Sequence, residues 1–344
     1  MKKINVAVIG FGMSGRQFHL PTLINNEKYQ VLKVMTRSEV NQSDLKKLYK
    51  NVEIITSFDA AVNDENIDLI IIATSNDVHF EYTEKALLNN KHVVCEKPFV
   101  ESYKDAKYLY DLAKEKGVLL KVFHNRKYDG DIMTAKKIVE EGLLGRIISF
   151  KTRFDRLRPE IGVNWRFRDT TMAGIFYDLA PHLVHHAIDL FGMPNAVYNE
   201  LFFDRDNSLV DDHFELTMHY DNGFKAFLGA EMLERNPLPR IEIVGVNNTY
   251  AKYGFDNPDS VNFPLNETYQ KPHLRSVLID NNLNEINVPI LLGAHYKFYE
   301  NLAYEITNNI TDSVDTKLAL GVILVMEKAM ESYKKKTLVG VPKL

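Results

Sequence analysis

Two side chains in this sequence have the chemistry to steady a developing alkoxide or to take its proton. The first is Lys97, in Glu96-Lys97-Pro98 directly after the apolar run His92-Val93-Val94-Cys95. If that run is a strand of a parallel sheet, Lys97 emerges at the carboxyl edge, where such sheets bind their ligands. An ammonium there can polarise a secondary alcohol as hydride leaves its carbon, or act as a tuned acid or base. A solvated strand-end lysine is the plain alternative, and Pro98 is a candidate cis residue. The second is His182, in Gly174-Ile175-Phe176-Tyr177-Asp178-Leu179-Ala180-Pro181-His182. Asp178 and His182 are four residues apart and share a face if both are helical. A helix is predicted from about Leu179 to Phe191, with Pro181 in its first turn because proline has no N–H to give. His182 then lies near the helix N-terminus, whose partial positive charge keeps imidazole neutral and ready to accept a proton. Asp178 could orient His182 or lie close to Lys97; otherwise Asp178 is an N-cap and His182 a packed histidine. His182, His186 and Asp189 also read as metal ligands, but too few candidates lie outside this segment, so no metal is predicted. His185 and Asp189 read as a structural pair.

A nucleotide would supply the hydride partner. Gly10-Phe11-Gly12-Met13-Ser14-Gly15 follows the apolar strand Val6 to Ile9 and leads into a helix-like segment, the context a dinucleotide-binding loop requires. Gly10 permits the tight turn, Gly12 lets the backbone approach a pyrophosphate, and Gly15 allows helix to pack on strand, with helix amides facing the anion. An Asp or Glu at the end of the second strand would hold the ribose hydroxyls of NAD. Here that strand ends Met35-Thr36-Arg37-Ser38. Arg37 offers a forked cation to a 2′-phosphate, with Thr36 and Ser38 as small donors, so NADP is favoured over NAD. Arg37 as an ordinary surface charge is the alternative. Thr74-Ser75-Asn76 follows the fourth strand and should line the same edge.

The elements that position these residues alternate in the first third of the chain. Apolar runs at Val6–Ile9, Val31–Met35, Asp68–Ile72, His92–Cys95 and Val118–Leu120 are separated by helix-like stretches at Val78–Asn89 and Ser102–Lys116, the latter closed by Gly117. Continuous apolar strands between helices predict a doubly wound parallel sheet. After about residue 123 the pattern changes. A helix at Asp131–Glu141 is followed by alternating stretches at Ile147–Arg153, Phe214–Tyr220 and Phe224–Ala230, the last two joined by the turn Asp221-Asn222-Gly223. Helices are predicted near Tyr296–Asn308 and Thr316–Lys335. The reading is α/β, with a nucleotide-binding domain over 1–122 and an α+β domain over 123–344. The second carries a large, mostly antiparallel open sheet able to pair subunits.

Composition narrows the partners. The chain has 344 residues, 45% apolar and 26% charged, with a formal net charge of −4 and no long basic run, so neither nucleic acid nor an anionic membrane is indicated. Cys95 is the single cysteine, which excludes an internal disulfide and fits a reducing compartment. Lys2-Lys3 followed by Ile4 to Ile9 is read as a first strand, since the apolar run ends at Gly10. No stretch reaches the roughly 18 uninterrupted apolar residues of a spanning helix, so the expected location is the cytoplasm.

Several motifs occur in one order: Gly10-x-Gly12-x-x-Gly15, Ala73-Thr74 with Asn76 and His79, Glu96-Lys97-Pro98, and Gly174-x-x-x-Asp178-x-x-x-His182. Together they resemble the family of glucose-fructose oxidoreductase and inositol 2-dehydrogenase over nearly the whole chain. Phe123 to Asp131, Phe154-Asp155-Arg156 and Asn164-Trp165-Arg166 are most similar to its NADP-dependent scyllo-inositol dehydrogenase branch. The resemblance implies a Rossmann domain, a C-terminal α+β domain used for dimers or tetramers, and catalysis by Lys97, Asp178 and His182. It further implies His79, Glu96, Lys97, Trp165 and Arg166 as cofactor contacts, and Asn125, Arg126, Tyr128 and Arg156 beside Asp178 and His182 as contacts to a polyol or sugar. The sequence departs from many relatives at His185, where they carry Asp. Members of this fold that sense cofactor without turnover commonly lose the lysine or histidine, and both are present here. A nucleotide-sugar, aldehyde or dihydrodiol substrate is the remaining alternative.

Overall fold

The computed structural model describes residues 2–162, 165–255, 275–311 and 313–344. In chain order the regular elements begin with β1 (Ile4–Ile9), α1 (Leu20–Ile24), β2 (Tyr29–Met35), α2 (Glu39–Leu48), β3 (Glu53–Ile55), α3 (Asp59–Val62), β4 (Leu69–Ile72), α4 (His79–Leu88), β5 (His92–Cys95), α5 (Tyr103–Lys116) and β6 (Leu120–Val122). They continue with α6 (Gly130–Glu140), β7 (Ile147–Arg153), α7 (Gly174–Phe191), β8 (Ala196–Phe202), β9 (His213–His219), β10 (Lys225–Glu231), β11 (Ile241–Gly245) and β12 (Thr249–Lys252). The last are β13 (Ser276–Ile279), β14 (Glu285–Asn287), α8 (Tyr296–Thr307), α9 (Val314–Lys335) and β15 (Val339–Gly340). Two compact units result: Met1–His124 with Tyr296–Leu320, and Asn125–His295 with Gly321–Leu344. Tyr296–Leu320 thus groups with the first unit, whereas the sequence reading gave all of 123–344 to the second.

The first unit is a six-stranded parallel sheet in the order β3-β2-β1-β4-β5-β6. Its central strands are apolar without interruption because both faces are covered: Leu69, Ile70, Ile71 and Ile72 are all fully buried. Ser102 caps α5 by accepting the Asp105 amide at 3.0 Å, and Gly117 closes it with φ +65°. The last strand lies two residues beyond its predicted position, over Leu120–Val122. That shift hides from a hydropathy reading because Lys121 is buried within it, with its Nζ 2.8 Å from Asp315 and also paired with Glu305.

The second unit is built on a nine-stranded sheet in the order β14-β13-β12-β11-β7-β10-β9-β8-β15. β7 and β10 run parallel, and every other neighbouring pair is antiparallel. The expected open, mostly antiparallel sheet is present. Alternate residues of β9 and β10, among them Phe214, Leu216, Ala226 and Leu228, are buried on the side that packs on α7.

α7 corrects the sequence reading. It begins at Gly174, not near Leu179, and Pro181 lies inside it. The early start is possible because a distant loop supplies the cap: Asp211 accepts the Phe176 amide on Oδ2 at 2.6 Å and the Ile175 amide on its carbonyl at 3.0 Å. Gly174, with φ +92°, admits that carboxylate, since a Cβ there would lie 2.0 Å from Asp211 Oδ1. His182 is therefore two turns into the helix, and the argument from a helix N-terminus no longer applies to it. Asp178 is likewise a helical residue, not the N-cap. Asp189, expected to pair with His185, binds Lys136 Nζ at 3.0 Å.

Candidate active site

In the first unit the glycine loop is shaped by backbone alone. A Cβ on Gly10, whose φ is +117°, would lie 2.3 Å from the Ala73 carbonyl oxygen, and one on Gly15 would lie 2.2 Å from that of Gly10. Only glycine lets β1 pass this close to the end of β4. A Cβ on Gly12, by contrast, would meet nothing within 4 Å, so the loop is open where a pyrophosphate would approach. These features fit a dinucleotide. After Gly15 the chain makes a single π-helical turn, Gly15–His19, before α1.

The same loop is tied to the end of β5. Ser14 Oγ donates to Glu96 Oε1, the same oxygen stands 3.0 Å from His19 Nε2, and the Lys97 amide donates to Glu96 Oε2 at 3.1 Å. Burial alone would raise the Glu96 carboxyl, but His19, Ser14 and the Lys97 charge together hold it below the usual carboxylate range. His19 Nδ1 in turn meets the hydroxyl of Tyr299 on α8. Sequence reasoning named neither His19 nor Tyr299. His79, expected at the cofactor, is buried and donates from Nδ1 to the Pro98 carbonyl at 2.8 Å, bracing the chain just beyond Lys97. The Lys97-Pro98 bond is cis. Lys97 itself is half-buried.

The other predicted cofactor residues of the first unit lie along this carboxyl edge, whereas Trp165 and Arg166 belong to the second unit. Phe11 is buried and carries the Arg16 guanidinium 4.5 Å from its ring centroid, while Met13 is exposed. Arg16, also unnamed from sequence, binds Asp44 at 2.9 Å and Asn41 at 3.0 Å and so joins the loop to α2. Thr36 is buried and accepts the Ser38 amide at 3.4 Å, and Ser38 caps α2 by accepting the Asn41 amide at 3.3 Å. Arg37 is exposed beside that helix start, with one long hydrogen bond from Nε to the Thr56 carbonyl at 3.4 Å. Thr74 and Ser75 are half-buried after β4, and Asn76 is buried.

In the second unit, α7 gathers Asp178, His182, His185 and His186. Asp178 Oδ1 accepts from Arg166 Nε at 3.1 Å, so this carboxylate already has a cation on it. His182 is 5% exposed, and its ring meets the Phe154 ring edge-on at 6.5 Å. His185 is buried next to His186. His186 Nε2 donates to the Arg126 carbonyl at 3.2 Å; burial and the Arg240 charge push its imidazole down to about 3, so it stays neutral. Arg126 binds Asp129 at 2.9 Å, Asp129 accepts from His295 Nε2 at 2.6 Å, and Asn125 Nδ2 donates to His295 Nδ1 at 3.2 Å. Burial opposes a charge on Asp129, yet Arg126 and His295 hold its carboxyl well below the ordinary range. Tyr128 is buried and accepts the Ala294 amide on its carbonyl at 2.9 Å. Arg156 stands 5.7 Å from the Phe154 ring. Asp129, His295, Phe154 and Arg240 were not among the named site residues, and His295 lies 170 positions from Asn125, beyond any local sequence signal. Trp165 opens the short turn Trp165–Phe167; Asn164 lies outside the described residues. Among the described residues, no three His, Cys, Asp or Glu side chains are placed to hold a metal, and no helix is long and apolar enough to cross a membrane.

Comparison with known proteins agrees with this arrangement. Residues 4–124 match the model of the oxidoreductase family with an NAD-binding Rossmann fold, and residues 132–251 match the GFO/IDH/MocA C-terminal domain. A scyllo-inositol 2-dehydrogenase (NADP+) of Bacillus subtilis strain 168 is 33% identical over 97% of this chain and 94% of its own. A solved structure from Bacillus subtilis superposes with a TM-score of 0.92 at 31% identity, covering 99% of both chains. An oxidoreductase structure from Bacillus cereus does so with a TM-score of 0.88 at 27% identity, again over 99% of both. With its glycine cradle, its lysine at the end of β5 and its helical Asp178 and His182, the chain belongs to the GFO/IDH/MocA family of oxidoreductases, with an NAD-binding Rossmann fold in its N-terminal part.

Proposed function

We propose that this protein is an NADP-dependent dehydrogenase that oxidises a secondary alcohol of a cyclic polyol or sugar, or reduces the matching ketone. One observation carries the reading: Glu96 binds Ser14 of the phosphate loop with one oxygen and the Lys97 amide with the other. The residue bearing the ammonium is thereby anchored to the loop that would hold the pyrophosphate. The nicotinamide, when bound, supplies the hydride acceptor. His182 accepts the hydroxyl proton, Lys97 steadies the alkoxide, and Asp178, with Arg166, sets the charge on the His182 face of α7. Arg37 at the start of α2 supports NADP over NAD, as does the NADP+ dependence of the Bacillus subtilis scyllo-inositol 2-dehydrogenase. Asn125, Arg126, Tyr128 and Arg156 are the proposed substrate contacts. The face of the nine-stranded sheet turned away from α7, with Phe227 and Lys151 exposed on it, supports a homodimer or homotetramer, and Cys95 as a buried free thiol supports a cytoplasmic setting.

The experiment is a panel of inositols, pyranoses and aldehydes offered with NADP+ and followed by nicotinamide absorbance, alongside fluorescence titration with NADPH and NADH. Tighter NADPH than NADH binding and turnover of at least one cyclic polyol or sugar are the expected results. Failure to bind either dinucleotide would overturn the reading.

A further inference from the structure

Three guanidinium groups converge on one phenyl ring in the second unit. Phe154, fully buried just after β7, has the Arg240 Cζ 4.0 Å from its centroid, that of Arg126 at 5.2 Å and that of Arg156 at 5.7 Å. Phe255 stacks on Phe154 at 5.6 Å with an interplanar angle of 14°, and Arg156 covers that ring too, at 5.3 Å. The same Phe154 ring is the one His182 meets edge-on. The cationic cluster and the proposed proton acceptor therefore pack on the same buried ring.

The three arginines differ in their partners. Arg126 is bound to Asp129 at 2.9 Å, and Arg240 stands 3.5 Å from Asp131. Arg156 has no carboxylate within ion-pair distance among the described residues; its guanidinium lies over the two aromatic rings. The charges it feels are Arg158, Arg126 and Arg240, opposed by Asp178, and burial together with those like charges brings it down to about 10. Holding a half-buried guanidinium among other cations costs free energy, and an oxyanion with two oxygens relieves that cost through the forked N–H groups.

Resting on the dehydrogenase reading above, we propose that the substrate is an anionic sugar or polyol whose carboxylate or phosphate substituent is bound by Arg156 while its ring hydroxyls reach His182. A guanidinium fork is complementary to the charged substituent of a hexuronate or a hexose phosphate. A neutral inositol leaves the fork unmatched.

Glucose, glucuronate and glucose 6-phosphate, with galactose and galacturonate as a second pair, are compared in two ways: by NADP+ reduction, and by calorimetry on protein saturated with NADPH. The acids or the phosphate should exceed the neutral sugars in kcat/KM or affinity by about tenfold to a hundredfold, the range of hydrogen bonds to a charged group. Which of the two oxyanions gains more identifies the substituent. Arg156→Gln should collapse the ratio and Arg156→Lys should keep part of it, since the charge stays and the fork is lost. Oxyanion sugars bound no better than glucose, or a ratio that survives Arg156→Gln, would overturn the proposal. Turnover of neutral sugars without an oxyanion preference removes this inference alone; oxyanion binding without turnover of any sugar supports it and removes the dehydrogenase reading instead.

Discussion

Asp211 Oδ2 accepts the Phe176 amide at 2.6 Å, and with the Ile175 amide on its carbonyl a loop 35 residues away in sequence starts the helix that carries Asp178 and His182. Burial pushes the Asp211 carboxyl up to about 7, with the Asp212 charge adding to the rise, while the Phe176 and Ile175 amides pull against it. Its ordinary value is 3.8, so between about pH 4 and pH 7 the folded protein holds a proton that the unfolded chain has released. The group's contribution to stability is therefore full below about pH 4, falls as pH rises through that window, and is level above it. Asp211→Asn keeps an acceptor for Phe176 without the charge. Melting temperatures measured from pH 4 to pH 8 should fall less for the variant, and it should be the more stable protein at pH 8 by an amount on the order of 1 kcal/mol or more. Parallel curves for the two proteins would show that Asp211 does not titrate there.

Lys97→Ala and His182→Ala should each leave NADPH binding nearly intact while lowering turnover by about a hundredfold or more, the usual loss when an acid-base partner is removed. His182 belongs to the second unit and the phosphate loop to the first, and the Glu96 bond to Lys97 uses the backbone amide, which alanine keeps. Steady-state rates paired with NADPH titrations check both halves. Unchanged turnover in both variants would reject the proposed chemistry.

The legibility of this fold follows burial. β4 could be read directly because all four of its residues are buried on both faces, leaving no polar position to interrupt the pattern. β6 was displaced in the reading because Lys121, paired with Asp315, is a core residue that looks like a surface one. The start of α7 was missed for a related reason: Pro181 signals a first turn locally, but the cap that overrides it comes from Asp211, and nothing in the local sequence announces a partner that far along the chain. The site divides in the same way. Gly10, Gly12 and Gly15 carry their role in their spacing, whereas the Asn125, His295 and Asp129 chain exists only once Asn125–His295 has folded into one unit.

Arg37→Ala should weaken NADPH more than NADH. Arg37 is exposed beside the Ser38 cap of α2, so removing it leaves the helix start intact and takes away the charge-assisted contact proposed for a 2′-phosphate. A loss of about tenfold in NADPH affinity, with NADH affected by less than about threefold, is the expected split. Fluorescence titration of both nucleotides reads it, and equal losses would take the 2′-phosphate role away from Arg37.

Glu96→Gln separates the tie between phosphate loop and lysine from mere packing. The amide oxygen can still accept from Ser14 and face His19, but the amide nitrogen then meets the Lys97 N–H, so a donor is set against a donor where Oε2 now accepts at 3.1 Å. A buried donor left unmatched costs about 1 to 3 kcal/mol, which the backbone at Lys97 can escape only by moving. That movement displaces the side chain that Lys97 carries. Turnover should drop by about tenfold or more, while glycine-loop affinity for NADPH, which depends on Gly10, Gly12 and Gly15, changes by less than about threefold. A variant with unaltered kcat would mean that Glu96 serves packing and that Lys97 keeps its position without it.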